Sequence, residues 1–403
     1  MNKRFKAAIV GGGASGLLCA VELLSGNDAL NGEDVVILER NDRVGKKLLA
    51  TGNGQGNITN AKIEEKNYSG DVRFVRAFID NVQKTDLSEY FKKIGVYTAV
   101  KDGGKVYPVS MQANAVSDAI RAYLLYKKCV IATGERVIRV KKDGAFTIET
   151  ERGERYFADN VVLATGGKAG RQFGTDGTSY GLATAFGHKL TPLYPSLVQL
   201  KTEKQKIKGL KGVKEYAKVC LFDGENFFKS ATGDLLFTDY GISGNAVFQV
   251  SDKVSLLKAP VVRIEFVPDI SEKDLSAILT EKSAKEFISK PELLSGIINK
   301  KLGQTLLSFG RKTPKEIARE VKDFRLTVTG TLGFDSAQVT KGGIRTDEIT
   351  DGFESGIVKG LYLVGETLDV DGECGGYNLT FAFISGIVAA KNIKQSIKRG
   401  FSS

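Results

Sequence analysis

Apolar and polar positions alternate along the first forty residues in a way that predicts three elements in order. Residues 5–10 form a short apolar run that reads as a buried strand, and 14–24 read as a helix. A second apolar run, 34–38, reads as a strand that ends in Glu39. Further on, 136–141, 145–150 and 155–163 read as three antiparallel strands, with Asp143-Gly144 as the first turn. The last of these closes in Ala164-Thr165-Gly166-Gly167. Gly174-Thr175-Asp176-Gly177-Thr178 then opens a helix running to Phe186, with Gly187 as its C-terminal cap. The pattern changes near Pro192 and Pro195. From there to about Asp335, strand-like stretches at 216–222, 234–238, 261–267 and 325–331 flank a helical block. Within that block Thr313-Pro314-Lys315-Glu316 has the cap, the first-turn proline and the reciprocal glutamate of a helix start. The chain then returns to glycine-rich α/β character. A strand at 360–366 ends in Gly365-Glu366, a loop covers 369–374, and Gly375-Gly376-Tyr377-Asn378-Leu379 opens an apolar helix over 380–391.

The chemistry sits where these elements meet. Gly11-x-Gly13-x-x-Gly16 lies between the first strand and the first helix, and Glu39 stands 23 residues after Gly16 at the end of the second strand. Strand, glycine loop, helix, strand and acid in this order predict a dinucleotide site. Gly11 permits the turn, Gly13 admits a pyrophosphate, and Gly16 lets the helix pack on the strand. The amides of Ala14, Ser15 and Gly16 at the helix N-terminus face the anion. Glu39 accepts from the ribose hydroxyls, with Arg40 beside it, and its charge disfavours a 2′-phosphate, so this site is not built for NADP. The Gly-, Asn- and Thr-rich segment 45–60 with Lys46, Lys47, Asn53 and Gly54 suits a second phosphate and a polar ring edge, although it also reads as a plain long loop. Two phosphate-directed elements so close together point to an extended dinucleotide, FAD. Ala164, Thr165 and Gly166 allow close backbone approach, as do Gly365 and Glu366. The helix N-terminus at Gly376 would favour flavin reduction through its dipole. The fold class is therefore α/β, with a Rossmann-like FAD-binding domain assembled from both ends of the chain. No second GxGxxG is present, so a nicotinamide donor must bind without a domain of its own.

Composition narrows the class further. At ~150 residues per domain, 403 residues predict two to three domains, long enough to bury a core without disulfides or metal. Gly 46 against Pro 7 is a glycine excess without a linker or collagen signature, which excludes disorder. The net charge of +11 comes mostly from lysines interleaved with acids and reads as a solvated surface. One denser run, 201–214, holds six Lys and one Glu, but no aromatic residue, which argues against a nucleic-acid partner. Cys19, Cys129, Cys220 and Cys374 form no CxxC pair, and His188 is the single histidine. The expectation is therefore no metal and a reducing, cytoplasmic setting. His188 follows a helix cap and reads as a packed turn residue before it reads as an acid or base. The basic start, residues 3–6, superficially resembles a signal peptide, but three glycines at 11–13 break the apolar stretch, and no run approaches ~18 apolar residues. The expectation is a soluble enzyme with no membrane partner, and nothing in the sequence demands an oligomer.

The same residues carry a resemblance. The chain is similar to the YhiN/BaiN-type flavoproteins, the aminoacetone oxidase family of FAD-binding enzymes. The matching stretches are 11–16 with Glu39-Arg40, 51–60, Val106-Tyr107-Pro108, 164–170, Gly187-His188, 233–238 into 241–244, 339–343 and 360–379. They span nearly the whole chain in order, and 368–379 is the most specific of them. More distantly, Ala-Thr-Gly-Gly, Gly-Thr-Asp-Gly and Gly-Glu…Gly-Gly look like the flavoprotein subunits of fumarate reductases. The resemblance implies an FAD domain over 1–191 and 336–403, with an inserted β-barrel and helical domain over 192–335. It implies Glu39 on ribose, Lys46 or Lys47 on pyrophosphate, Asn53, Asn57 and Thr59 along the loop, and Val137 at adenine. Asp371, Gly376, Asn378 and Leu379 would meet the ribityl chain and flavin ring. One departure stands out: the family's Arg-Cys is replaced by Gln55-Gly56, so no catalytic role is carried to that position.

The activity implied is reduction of a C=C conjugated to a ketone in a 3-oxo-Δ4,6 steroid or bile-acid-like substrate. NAD(P)H is the transient electron donor, and Tyr377 the proton donor if it is not simply a packing aromatic. The alternatives are an oxidase of a small amine such as aminoacetone, releasing peroxide, an RNA-modifying flavoprotein, and a flavin-binding module without turnover.

Overall fold

Strand β1 (Arg4–Val10) is apolar on both sides from Ala7 onward because there it lies inside a parallel sheet, where both faces are covered. The computed structural model describes residues 3–310 and 312–400. Helix α1 (Ala14–Leu23) follows β1, and β2 (Val35–Glu39) is buried at every position. Then come β3 (Val130–Thr133), β4 (Val137–Asp143), β5 (Ala145–Thr150), β6 (Arg155–Leu163) and, late in the chain, β7 (Leu361–Leu363). The order β3-β2-β1-β6-β7 is parallel throughout. Strand β6 divides its outer edge: residues 155–158 pair with β5 and 161–163 with β7. Registers align Val10 with Leu38 and Leu163, and Leu163 with Leu363. Four strands therefore end level at the carboxyl end of the sheet, where Gly11, Glu39, Ala164 and Val364 follow the aligned residues.

Helix α2 (Tyr377–Gly400) packs on α1. A Cβ at Gly386 would sit 2.2 Å from the Ser15 carbonyl, so the two helices cross at backbone contact. The crossing is pinned by Lys394, whose side chain is 4% exposed. Its ammonium donates to Glu22 Oε1 at 2.9 Å and to the Ser25 carbonyl at 3.2 Å, and pairs with Asp28 at 2.9 Å.

The chain up to Tyr194 and from Val339 onward forms one compact unit, and Pro195–Gln338 forms another. The second is a closed six-stranded barrel. Its strands run Leu200–Thr202, Gly241–Ser243, Asn226–Phe237, Lys214–Asp223, Pro260–Glu265 and Phe324–Thr331 around the barrel. Inward positions such as Val219, Leu221, Leu235, Val262, Ile264 and Leu326 are fully buried. Helices Glu272–Ser283, Lys300–Ser308 and Pro314–Lys322 belong to the same unit. Thr313 Oγ1 accepts from Glu316 N at 3.3 Å while Glu316 accepts from Thr313 N at 2.8 Å, the reciprocal cap that the sequence predicts.

The elements differ from expectation mainly in length. The strand expected over 234–238 is the end of a twelve-residue strand whose first half is exposed and shows no clean alternation. The helix expected over 380–391 runs from Tyr377 to Gly400. The barrel strands at 200–202 and 241–243 are three residues each, too short to show a period. Among the described residues no helix is long and apolar enough to cross a membrane.

Candidate functional site

The sheet edge sets the site. Gly11 has φ +109°, and a Cβ there would lie 2.5 Å from the Ala164 carbonyl, so β1 and β6 release their chains almost in contact. Gly13 is the N-cap of α1 and offers no side-chain cap. The nearest atom to a Cβ at Gly13 would be 3.9 Å away, so space opens in front of the Ala14, Ser15 and Gly16 amides. Unpaired N–H groups with an aligned helix dipole make this an anion site.

Glu39 is 6% exposed. Its Oε2 accepts from Gly12 N at 2.8 Å, and its Oε1 accepts from Asn41 N at 2.8 Å and Asn41 Nδ2 at 2.7 Å. These bonds fix the carboxylate and leave lone pairs for further donors. Arg40 turns to Asp176 at 2.5 Å, and Arg136 reaches the same carboxylate at 3.0 Å. Burial opposes ionisation of Asp176, but bonds from Thr178 and Arg40 outweigh it and hold its carboxyl below the usual range. Val137, the next residue after Arg136, starts β4 with its side chain buried. Thr165 is hydrogen-bonded to Ser179, which also holds Thr367 at 3.2 Å.

The loop lysines reach acids. Lys46 pairs with Asp42 at 2.7 Å, and Lys47 donates to Glu366 Oε2 at 2.8 Å and to the Ala169 carbonyl at 3.1 Å. Glu366 Oε1 accepts from Thr340 N at 2.7 Å, and Thr340 Oγ1 accepts from Lys168 N and Ala169 N at 2.8 and 2.9 Å. Lys47 thus ties the early glycine-rich loop to the late Gly365-Glu366 turn. Asn53 (φ +55°) and Gly54 are exposed on the kinked turn Thr51–Gly54.

Asn57 and Thr59 are buried and clamp the start of α2. The Asn57 amide donates to the Thr59 and Val106 carbonyls at 3.0 and 3.2 Å and accepts from Gly376 N at 3.0 Å. Thr59 Oγ1 meets Thr380 Oγ1 at 2.7 Å. Asn378 closes its own loop, accepting from Gly372 N at 2.9 Å and donating to Gly372 O at 2.7 Å. Asp371, 5% exposed, faces Lys341 at 3.3 Å, and Leu379 shares a narrow cleft with Thr51, Gly56 and Ile58. A Cβ at Gly56 would come 2.9 Å from Ala113 Cα, so the loop here closes directly on helix Ala113–Tyr126, leaving no room for a side chain.

Tyr377 is half-buried, with its ring edge-on to Tyr68 at 6.0 Å; Tyr68 OH donates to the Tyr377 carbonyl at 3.0 Å. Burial first, then Glu373 and Glu64, push the Tyr377 phenol above its usual value. His188 is buried between Glu348 (3.1 Å) and Ser355 (2.8 Å), whose Oγ also accepts from Ile357 N and Val358 N at 3.1 and 2.9 Å. That Oγ is filled by backbone donors, so the group pins a turn. Sequence reasoning gave no role to Asn41, Thr340, Lys341 or Asp176, although Asn41 follows the ribose acid by two residues and the other three lie in glycine-flanked motifs.

An uncapped, open helix N-terminus, a buried fixed carboxylate at the end of β2 and a second helix N-terminus at Gly376 fit FAD in extended form. Fold and site define an FAD-dependent oxidoreductase on a Rossmann-type domain. The chain belongs to the HI0933-like family: the model described as HI0933-like protein Rossmann domain matches residues 5–392. It is 38% identical to the 3-dehydro-bile acid delta(4,6)-reductase of Clostridium scindens, over 96% of this chain and 98% of that protein. It is 28% identical to the ribosomal RNA dihydrouridine synthase of Escherichia coli, over 97% and 98%. Among solved structures, the 3-ketosteroid delta1-dehydrogenase of Sterolibacterium denitrificans in complex with 1,4-androstadiene-3,17-dione superposes with a TM-score of 0.54 at 12% identity. That likeness covers 98% of this chain and all of that one, and concerns the fold.

Proposed function

We propose that this protein reduces a C=C conjugated to a ketone in a 3-oxo-Δ4,6 steroid or bile-acid-like substrate, with NAD(P)H as transient electron donor. The observation that carries this reading is the 38% identity, over nearly the full length of both chains, to a reductase named for that chemistry. The bound FAD supplies the hydride chemistry. In this reading the amides of Gly13, Ala14, Ser15 and Gly16 hold the pyrophosphate, with Gly11 setting the turn. Glu39, held by Gly12 and Asn41, takes the ribose, with Arg40 and Val137 beside the adenosine. Ala164, Thr165, Gly166, Gly365 and Glu366 line the middle of the cofactor. Lys46 or Lys47 takes the pyrophosphate, Asn53, Gly54, Asn57 and Thr59 line the loop, and Asp371, Gly376, Asn378 and Leu379 meet the ribityl chain and flavin ring. Lys47 and Asn57 also join chain segments.

Tyr377 supplies the proton to the carbon next to the carbonyl. Its raised pKa keeps the phenol protonated to above the ordinary ~10, so no alkaline fall in rate from this group is expected below that pH. Tyr377→Phe leaves the bond from Tyr68 intact, because that bond ends on the backbone carbonyl. It is expected to lower kcat about 100-fold with little change in KM, as loss of a general acid does. A wild-type kcat in this variant removes Tyr377 from the mechanism.

The reading is tested in an anaerobic cuvette. NADH or NADPH is expected to bleach the flavin absorbance near neutral pH, and a 3-oxo-Δ4,6 steroid to restore it. Failure of both nicotinamides to bleach overturns the reading, and peroxide released with aminoacetone would replace it with the amine oxidase. The match to a ribosomal RNA dihydrouridine synthase favours a second reading of the same chemistry, since the uracil 5,6 double bond is also conjugated to a carbonyl. Restoration of the bleached flavin by RNA but not by the steroid would select it.

A further inference from the structure

The proposed reduction gives Lys341 no role, yet this lysine is held inside the FAD unit. It ends the short strand Val339–Lys341, and its Nζ donates to Asp371 Oδ2 at 3.3 Å. Only 15% of the lysine side chain and 6% of the aspartate side chain are exposed. Two charges this far from water depend on each other, because removing either strands the other in a medium of low dielectric. A second acid lies nearby. Burial pushes the Asp369 carboxyl up, against the pull of Thr191 and of the Lys341 ammonium.

The backbone fixes both partners. A Cβ at Gly342 would lie 2.2 Å from the Pro192 carbonyl oxygen, and one at Gly343 would lie 2.6 Å from the Leu368 carbonyl carbon. The chain after Lys341 is therefore wedged between two segments. Before it, Thr340 N is bonded to Glu366 at 2.7 Å. On the other side, Asp371 pairs with Ser69 across a two-residue ladder. A Cβ at Gly372 would sit 2.7 Å from Tyr377 Cβ, so Asp371 is carried directly against the start of α2.

A carboxylate beside a group that must accept electrons opposes the transfer, and a fixed cation cancels that opposition. We propose that Lys341 is a positioning residue of the flavin site: it holds Asp371 in place and neutralises it, so that the carboxylate contacts the cofactor without hindering its reduction. The proposal rests on the reading that puts Asp371 at the ribityl chain and flavin ring.

The test is the midpoint potential of the holoenzyme, read against a reference dye during a dithionite titration. Neither steroid nor nicotinamide takes part, so failure of the reductase reading is seen separately. Lys341→Met is expected to shift the balance about 10-fold toward oxidised FAD, a fall of ~30 mV for a two-electron couple. Lys341→Arg keeps the charge and should keep the potential. Asp371→Asn is expected to shift the potential upward, and Lys341→Met/Asp371→Asn to return it to near wild type, a reversal that mere loosening of the loop would not produce. An unchanged potential in Lys341→Met beside a shifted one in Asp371→Asn overturns the proposal and leaves the flavin at Asp371. Unchanged potentials in both single variants overturn the proposal together with that placement. Loss of FAD from the double variant, whose site has the wild-type net charge, overturns the proposal as well.

Discussion

Glu39→Gln is expected to weaken FAD binding about 10- to 100-fold, measured by titrating FAD into the apoprotein and following the quenching of its fluorescence. Two effects act together. The carboxylate's bonds to the ribose hydroxyls become neutral, and a hydrogen bond to a charged group contributes roughly 1.5–3 kcal/mol. The new amide nitrogen must also face either Gly12 N or the two Asn41 donors, because both carboxylate oxygens already accept from N–H groups at 2.7–2.8 Å. A donor facing a donor at a buried position is costly. The far-UV spectrum should not change, since Glu39 ends its strand. Unaltered affinity for FAD would place the adenosine ribose elsewhere.

The second large effect lies far from the chemistry. Lys394→Met is expected to cost 3–5 kcal/mol (order of magnitude), because removing one partner leaves Glu22 charged and buried. For a unit of this size that corresponds to a fall in Tm of roughly 6–20 °C. Glu22→Gln/Lys394→Met should recover part of the loss, since it removes the stranded charge. A urea titration that finds the single variant within about 1 kcal/mol of wild type would refute the burial argument. The pH dependence has a defined sign. Burial works against the Lys394 ammonium, but Glu22 and Asp28 more than offset it, so its pKa is raised. The contribution is therefore fully present below the unfolded value of ~10.4 and is lost as pH climbs through the folded value.

Much of the parallel-sheet half was legible in the sequence. Residues 5–10, 14–24 and 34–39 carry strong, short-range signals: an apolar run, three glycines at fixed offsets and an acid at a strand end. The observed β1, α1 and β2 lie within a residue or so of those ranges. The hairpin strands β4 and β5 were readable as two strand-like runs joined by the Asp143-Gly144 turn. Local periodicity could not reveal the three-residue barrel strands at 200–202 and 241–243, whose existence depends on closing the barrel. The start of α2 was readable from Gly375-Gly376, but not what holds it: Asn57 and Thr59, over 300 residues earlier, bond to Gly376 and Thr380.

The site divides the same way. Residue type and spacing alone determined the dinucleotide chemistry, because a glycine loop opening a helix and an acid ending the next strand act within one continuous segment. The lysines were different. Lys46 and Lys47 read as phosphate ligands; in the structure Lys46 pairs with Asp42 and Lys47 with Glu366, and the second partner is remote in sequence. Charge in a sequence has no address. Only the tertiary structure decided which acid each lysine would meet, because ion pairing depends on distance in space. It also decided that Gly56 has no room for a side chain, since helix Ala113–Tyr126 lies against its backbone. The sequence by itself determined the glycine loops at the two ends of the chain, and the packing of those ends into one unit determined which of the polar residues near them join segments together.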